Sequence, residues 1–292
     1  MGTVEQIRIK YEGACRPKRG ADGKTRLPDR FRNGRYRLSY CRYIKTTIFV
    51  LITAILVLLT WTAGVTAGSG MDNDVYAQLL KQHVSHGRVD YAGFKQDEPR
   101  LDQYLSQLGN TDPDRLDRSG QMAFYINLYN AATIKLILTA YPGITSIKDL
   151  GTLFQSPWKK KFITLNGQTV TLDHIEHEIL RPRFKDPRVH FAVNCASKSC
   201  PPLLAEPYSG RTLDAQLDHV TTNFINDPKS NYIQGDRLYV SRIFKWFSED
   251  FADDIKGFVS KYARGEFKNQ LDARISALQV KYLEYDWSLN GS

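Results

Sequence analysis

Cys195 and Cys200, separated by Ala196-Ser-Lys-Ser199, are the residues of this chain whose type and spacing bear most directly on chemistry. A thiolate is a nucleophile or a redox centre, whereas two oxidised cysteines are a staple. The other two cysteines, Cys15 and Cys41, precede a long uncharged run, so this pair is the even count beyond it. In an oxidising compartment the leading reading is a Cys195–Cys200 disulfide, worth roughly 2 kcal/mol for so small a loop. It would hold the loop 194–201 rigid, with Pro201-Pro202 stiffening its exit. The alternative is a nucleophilic sulfur, which needs a nearby imidazolium, cation or helix N-terminus to be activated. His190 and His177 are the candidate bases, and Lys198 lies between the cysteines. Period-two alternation in a strand over 189–194 sets His190 and Cys195 on opposite faces, which makes Cys200 the geometrically freer partner. Four intervening residues are not the two-residue spacing of thioredoxin-like dithiols, so the motif alone does not make a redox centre.

A second cluster lies on a predicted helix over 172–180. A helical wheel puts Leu172, Ile175 and Ile179 on the core stripe with Glu176 at its margin, and Asp173, His174, His177 and Glu178 on the far side. His174 and His177 have a spacing that could clasp a metal, but two ligands on a water-facing helix do not complete a site, so no metal and no other cofactor is expected. Glu176 calls for a partner, with Arg181, Arg183 and Arg188 as candidates. Asp173 with Glu176 three residues on also reads as a helix N-terminal cap. Asn127, Asn130 and Thr133 share one face of the preceding long helix, where buried amides must either hydrogen-bond neighbouring loops or face a substrate. Asn127, Asn130, Asn194, Ser197 and Glu176 are thus the candidate ligand contacts.

The elements that position these groups follow from periodicity and breakers. Apolar residues at 75, 76, 79, 80 and 84 predict an amphipathic helix closed by Gly87, and a second helix spans 101–108. Residues 122–140 are apolar nearly all round and end at Tyr141-Pro142-Gly143, which predicts a central buried helix. Asn166-Gly167 between two β-type runs predicts a hairpin over 161–171, and Gly235-Asp236 predicts another over 231–240. Helices around 250–262 and 270–279 precede a last strand at 281–287. Helices outnumber strands and strands arrive as hairpins, so the fold class is α+β.

The net charge of +9 suggests at first a nucleic-acid or acidic-lipid partner. Residues 1–67, however, hold thirteen Lys/Arg against four acids, which accounts for the whole excess and leaves 68–292 neutral. A neutral domain lacks the electrostatic footprint of phosphate-backbone binding, so nucleic acid is not an expected partner. The run 46–67 carries no charge, follows Arg37, Arg42 and Lys45, and is long enough to cross a bilayer. The expected organisation is a basic extension over 1–45, a membrane anchor or signal peptide over 46–67, and one exported domain over 68–292 in the cell envelope. Val65-Thr66-Ala67 has the form of a signal-peptidase site. The membrane, through 46–67 unless cleaved, is the expected partner.

Six segments together resemble the bacterial and plant family catalogued as domain of unknown function 547: Gly87-Arg-Val-Asp-Tyr91, Phe124-Tyr-Ile-Asn-Leu-Tyr-Asn130, Thr171-Leu-Asp-His-Ile-Glu-His177, Asp186-Pro-Arg-Val-His-Phe-Ala-Val-Asn-Cys-Ala-Ser-Lys-Ser-Cys-Pro201, Val240-Ser-Arg-Ile-Phe244 and Tyr285-Asp-Trp287. Tyr125 and His174 stand where the resemblance leads one to expect Trp and Asp. The resemblance implies no particular activity. The central helix and His-bearing segment invite comparison with papain-like and transglutaminase-like thiol hydrolases, but there the nucleophile opens the central helix, and here that helix carries Asn127 and no Cys. The sequence therefore supports a disulfide-stapled module binding an unspecified protein or small molecule, with a thiol-dependent hydrolase or transferase as the alternative.

Overall fold

The computed structural model describes residues 18–19, 21, 25–26, 72–152 and 154–291. The chain divides into two units, Met1–Ala67 and Gly68–Ser292. In the first, β1 (Lys18–Arg19) pairs antiparallel with β2 (Thr25–Arg26).

Helix α1 (Asp74–His83) buries Tyr76, Leu79 and Leu80, the stripe that its spacing predicts. Gly87 does not close it. The helix ends at His83 and the chain turns through His86 and Gly87, with φ of 51° and 74°, into the hairpin β3 (Val84–Ser85) and β4 (Arg88–Val89). Asp90 then accepts the Gly93 N–H at 2.9 Å to cap α2 (Tyr91–Gln96), and α3 (Glu98–Gly109) follows with Pro99 in its first turn.

Helix α4 (Arg118–Leu138) begins where Asp117 accepts the Gly120 N–H at 2.6 Å. From Met122 onward every residue of it is buried except Lys135, which reaches out to Glu98 at 2.8 Å. At roughly 1.5–3 kcal/mol for each large apolar side chain taken from water, this helix supplies much of the core.

The rest wraps around α4. The hairpin β5 (Ile163–Leu165) and β6 (Gln168–Val170) turns at Asn166 and Gly167, both with positive φ as a type I′ turn needs. The predicted helix over 172–180 forms, but as a wider π-helical turn over His174–Leu180 that runs into α5 (Arg181–Phe184). The predicted strand over 189–194 is not one: it is the short helix α6 (Val189–Ala192). Asp186-Pro187 opens a helical turn there, with Val189 N–H donating to Asp186 O at 3.1 Å, and only Val193 is extended. Helix α7 (Leu213–Ile225) was not anticipated, and α8 (Ile243–Trp246) is a single turn. The predicted helix over 250–262 divides into a 3-10 turn, Ser248–Phe251, and α9 (Ile255–Tyr262), and α10 (Gly265–Arg274) starts earlier than expected.

One three-stranded sheet joins β7 (Tyr232–Gln234), β8 (Arg237–Val240) and β9 (Gln279–Tyr282), with β8 and β9 parallel. The last strand is thus shorter and earlier than 281–287. Beyond it the segment 285–291 crosses the cysteine loop: Lys198 N–H donates to Ser288 O at 2.8 Å and Asn290 N–H to Ala196 O at 3.1 Å. Small sheets among many helices make the fold α+β.

The run 46–67 lies outside the described residues. Among the described residues no helix is long and apolar enough to cross a membrane. Even α4 fails, because Arg118, Asn127, Asn130 and Lys135 interrupt its apolar surface and its contacts are with the rest of the domain. The expectation of a membrane partner reached through 46–67 is corrected accordingly.

Candidate functional site

Five of the residues singled out by type, Cys195, Cys200, His190, His177 and Glu176, line one cavity of about 240 Å³. The strand-to-helix change is what allows this. One helical turn at Val189–Ala192 followed by an extended Val193 lets His190 and Cys195 face the same space, which the alternation of a strand would have prevented. Glu176 and His177 come from the π-helical turn, Tyr129 from α4, and Trp246 and Phe247 from the end of α8. Trp158, Tyr285 and Trp287 complete the walls. A larger hollow of about 850 Å³, lined by Leu105, Leu128, Lys135, Lys160 and Phe162 among others, contains none of the candidate residues.

The expected disulfide is absent: both cysteines are free thiols, Cys195 partly exposed and Cys200 buried. The loop is closed by other means. Asn194 donates its amide N–H to Pro201 O at 2.8 Å, while its Oδ1 accepts from Ala196 N–H at 2.9 Å and from Asn290 Nδ2 at 3.1 Å. Cys195 N–H points at the Cys200 sulfur at 3.0 Å. Ala196 holds a left-handed φ of 61°, uncommon for a residue with a side chain and a form of strain often found beside functional groups.

The two sulfurs are unequal. The hydrogen bond with Cys200, together with the Ser197 and Tyr285 hydroxyls at 3.1 and 3.2 Å, outweighs burial and lowers the Cys195 thiol to about 7. Burial first, and then the neighbouring Cys195, push Cys200 well up. Tyr285 is itself driven far above the usual phenol range by burial and by both cysteines, so its hydroxyl remains a donor.

His190 is 3% exposed. Its Nε2 lies 2.7 Å from Asp250 Oδ2, its ring stacks on Phe247 at 4.0 Å between centroids, and its Nδ1 is buried without a partner among the described residues. Burial alone would raise Asp250, but hydrogen bonds from His190 and from Arg181 Nε at 2.6 Å hold its carboxyl well below the usual range. A charged Asp250 favours the proton on Nε2, which leaves Nδ1 as the lone-pair nitrogen facing outward from that contact.

Glu176 is buried, and none of its three candidate arginines reaches it. Arg181 pairs with Glu249 and Asp250, Arg183 with Asp114, and Arg188 with Asp186, Asp214 and Asp218. Its neighbour is the Tyr129 hydroxyl, whose ionisation is pushed well up by burial and then by the Glu176 charge.

The remaining candidates stand behind the site. Asn127 Nδ2 donates to Tyr208 O at 2.8 Å and its Oδ1 accepts Tyr208 N–H at 2.9 Å; Asn130 bridges Ala192 O and Asn194 N–H in the same way. Both amides therefore fix loops. Ser197 is fully buried and supports Cys195. His174 pairs with Glu178 at 2.8 Å, His177 accepts from Arg181 at 3.1 Å, and among the described residues no three His, Cys, Asp or Glu side chains gather as metal ligands do.

Sequence reasoning missed Asp250, Tyr129 and the aromatic walls. Tyr285 and Trp287 did lie in a quoted segment, Tyr285-Asp-Trp287; Asp250 had no local signal, being one acid among several in an exposed stretch.

Fold and site together define an α+β domain carrying a polarised cysteine and a carboxylate-held histidine on one aromatic-walled cavity. Residues 113–225 match the family described as protein of unknown function, DUF547, the family that the resemblance named. The match holds α4, the π-helical turn, His190 and both cysteines; Asp250, Tyr285 and Trp287 lie beyond it. No curated protein and no solved structure matches the chain.

Proposed function

We propose that this domain is a thiol-dependent acyl-transfer or hydrolytic enzyme in which Cys195 is the nucleophile and His190, oriented by Asp250, is the general base and acid. The observation that carries the reading is the pairing, on one cavity, of a Cys195 thiol lowered to about 7 with a His190 whose Nδ1 has no partner. Ordinary cysteines titrate near pH 8.5, so a thiol held near 7 is about half thiolate at neutral pH.

In the reaction, Cys195 gives its proton to His190 Nδ1, directly or through one water. The thiolate attacks the acyl carbon, a C–S bond forms, and the bond to the leaving group breaks as that group takes the proton from the imidazolium. Water or a second nucleophile then attacks the thioester, loses its proton to Nδ1, and releases the acid or the transferred product with the Cys195 thiol restored. The Tyr285 and Ser197 hydroxyls, 3.2 and 3.1 Å from the sulfur, stabilise the thiolate between turnovers by turning their protons toward it.

p-Nitrophenyl acetate tests this, combined with alkylation by iodoacetamide across pH. The expected result is a burst of p-nitrophenolate and an alkylation midpoint near 7, both abolished by Cys195→Ser, whereas Cys200→Ser keeps the alkylation and raises its midpoint because the Cys200 hydrogen bond contributes most to lowering the Cys195 thiol. A quantitative Cys195–Cys200 bridge in protein taken from its native compartment, or a midpoint above about 8.5, the usual thiol value, overturns the proposal in favour of a stapled binding module.

Export of the domain is proposed separately, on the uncharged run 46–67 with Val65-Thr66-Ala67 at its end. A mature N-terminus at Gly68 is expected, and an intact Met1 on cytosolic protein overturns it.

A further inference from the structure

The cavity's walls are chemically one-sided. Three of the four tryptophans of the chain, Trp158, Trp246 and Trp287, line it. They touch one another, with ring centroids 5.6 Å apart for Trp158–Trp287 and for Trp246–Trp287. The charged residues among them are the carboxylates Asp173 and Glu176, and no Lys or Arg of the described residues lines the space. Aromatic faces present negative potential, and in a site shielded from water they attract cations more strongly than at an open surface. Trp287 already does so: the Lys148 ammonium sits 4.0 Å from its ring centroid without lining the cavity.

One polar group inside lacks a countercharge and another lacks a hydrogen-bond partner. Glu176 is 8% exposed and has no cation among the described residues, only the Tyr129 hydroxyl. His190 Nδ1 is buried with no hydrogen-bond partner. A buried carboxylate and a buried lone pair are both satisfied by a donor that is positively charged. An anion is disfavoured on every wall. A quaternary ammonium would suit the rings but has no N–H for Glu176 or Nδ1, so the combination selects an ammonium with N–H donors, of which the primary form offers the most and fills the small space with the least bulk. At about 240 Å³ the space is smaller than the ~300 Å³ at which drug-sized sites begin, so it takes the end of a longer molecule.

We infer that this aromatic and acidic cavity binds the primary alkylammonium end of a substrate, with Glu176 and the tryptophan faces as its recognition groups. The inference deepens the acyl-transfer reading and rests on it for the reaction: the bound amine is the second nucleophile. Having lost one proton to solvent, it attacks the Cys195 thioester carbon, a C–N bond forms and the C–S bond breaks. The second proton passes through His190 Nδ1 to the departing sulfur, and an amide and a free thiol result.

Binding is read apart from turnover, on the full chain, by calorimetry and tryptophan fluorescence with n-butylammonium, n-butanol and butanoate as probes. The expected result is saturable binding of n-butylammonium at least tenfold tighter than n-butanol, with butanoate weakest. Glu176→Gln reduces that preference about tenfold. Trp246→Ala, at a side chain exposed enough to leave folding intact, weakens n-butylammonium about threefold or more. Equal affinity for n-butanol and n-butylammonium overturns the inference, as does a Glu176→Gln protein or, should that variant not fold, a Trp246→Ala protein that binds n-butylammonium as the parent does. Loss of the p-nitrophenyl acetate burst with ammonium preference intact removes the acyl-transfer reading alone.

Discussion

Asp250 shows how one carboxylate couples stability to the chemistry of a neighbour. It is shared between His190 and Arg181, which hold it charged despite burial. Because its folded value lies below its ordinary 3.8, the stability it contributes is fully present above that pH and is lost as pH falls through the folded value. Asp250→Asn is therefore expected to flatten the acid limb of stability below about pH 4, read by urea unfolding across that range. At neutral pH the same change frees the imidazole tautomer and lowers the p-nitrophenyl acetate burst rate about a hundredfold, the scale of losing an oriented general base. Residue types alone single out Cys195, Cys200, His190 and Glu176, because few side chains can do such chemistry, and the fold brings the four to one cavity. Asp250 is not legible, since what makes it special is a contact across sixty residues, and cysteine parity says nothing about the hydrogen bonds that hold the loop with its two thiols unbridged here.

At the level of elements, the long and strongly patterned pieces were legible and the short ones were not. Helix α4 announces itself by its unbroken apolar run and the Asn166-Gly167 hairpin by its turn chemistry. The segment 189–194 fits a buried strand equally well by composition, and only the Asp186-Pro187 turn decides for α6. As a helix stop Gly87 is the right residue type in the wrong structure: its φ of 74° belongs to a hairpin turn, and a Cβ there would lie 2.2 Å from Pro202 Cβ. Gly87→Ala is expected to cost about 1–3 kcal/mol from backbone conformation alone and to displace the exit of the cysteine loop, measured as a lower urea midpoint with slower Cys195 alkylation. Asn127→Ala tests the amide face independently. It leaves both Tyr208 backbone groups unpaired in the core, so a loss of about 2–4 kcal/mol is expected with the Cys195 alkylation midpoint unmoved in the protein that remains folded.

Across the whole molecule, charge and site are separated. The basic excess falls in 1–67, while 68–292 is balanced and sets two carboxylates, Asp173 and Glu176, on the cavity. The cavity draws on Tyr129, Glu176, His190, Cys195, Trp246 and Trp287, which no local stretch of chain could bring together. The segment 285–291 latches the cysteine loop through Lys198, Ser199 and Ala196, and Val89 through Asn290. The amides of Lys198 and Asn290 are accordingly expected to exchange hydrogen as one unit, and separate rates for the two would show that the latch is not cooperative. This crossing also sets a timetable. Contacts so distant along the chain close late in folding, because their loop entropy must be overcome before they contribute anything. While a chain is still being made, the sulfur at 195 lacks the phenol of Tyr285 that tunes it and the indole of Trp287 that walls it in. On the reading proposed above, the thiol therefore gains its last hydrogen bond and its aromatic wall only once the protein around it is finished.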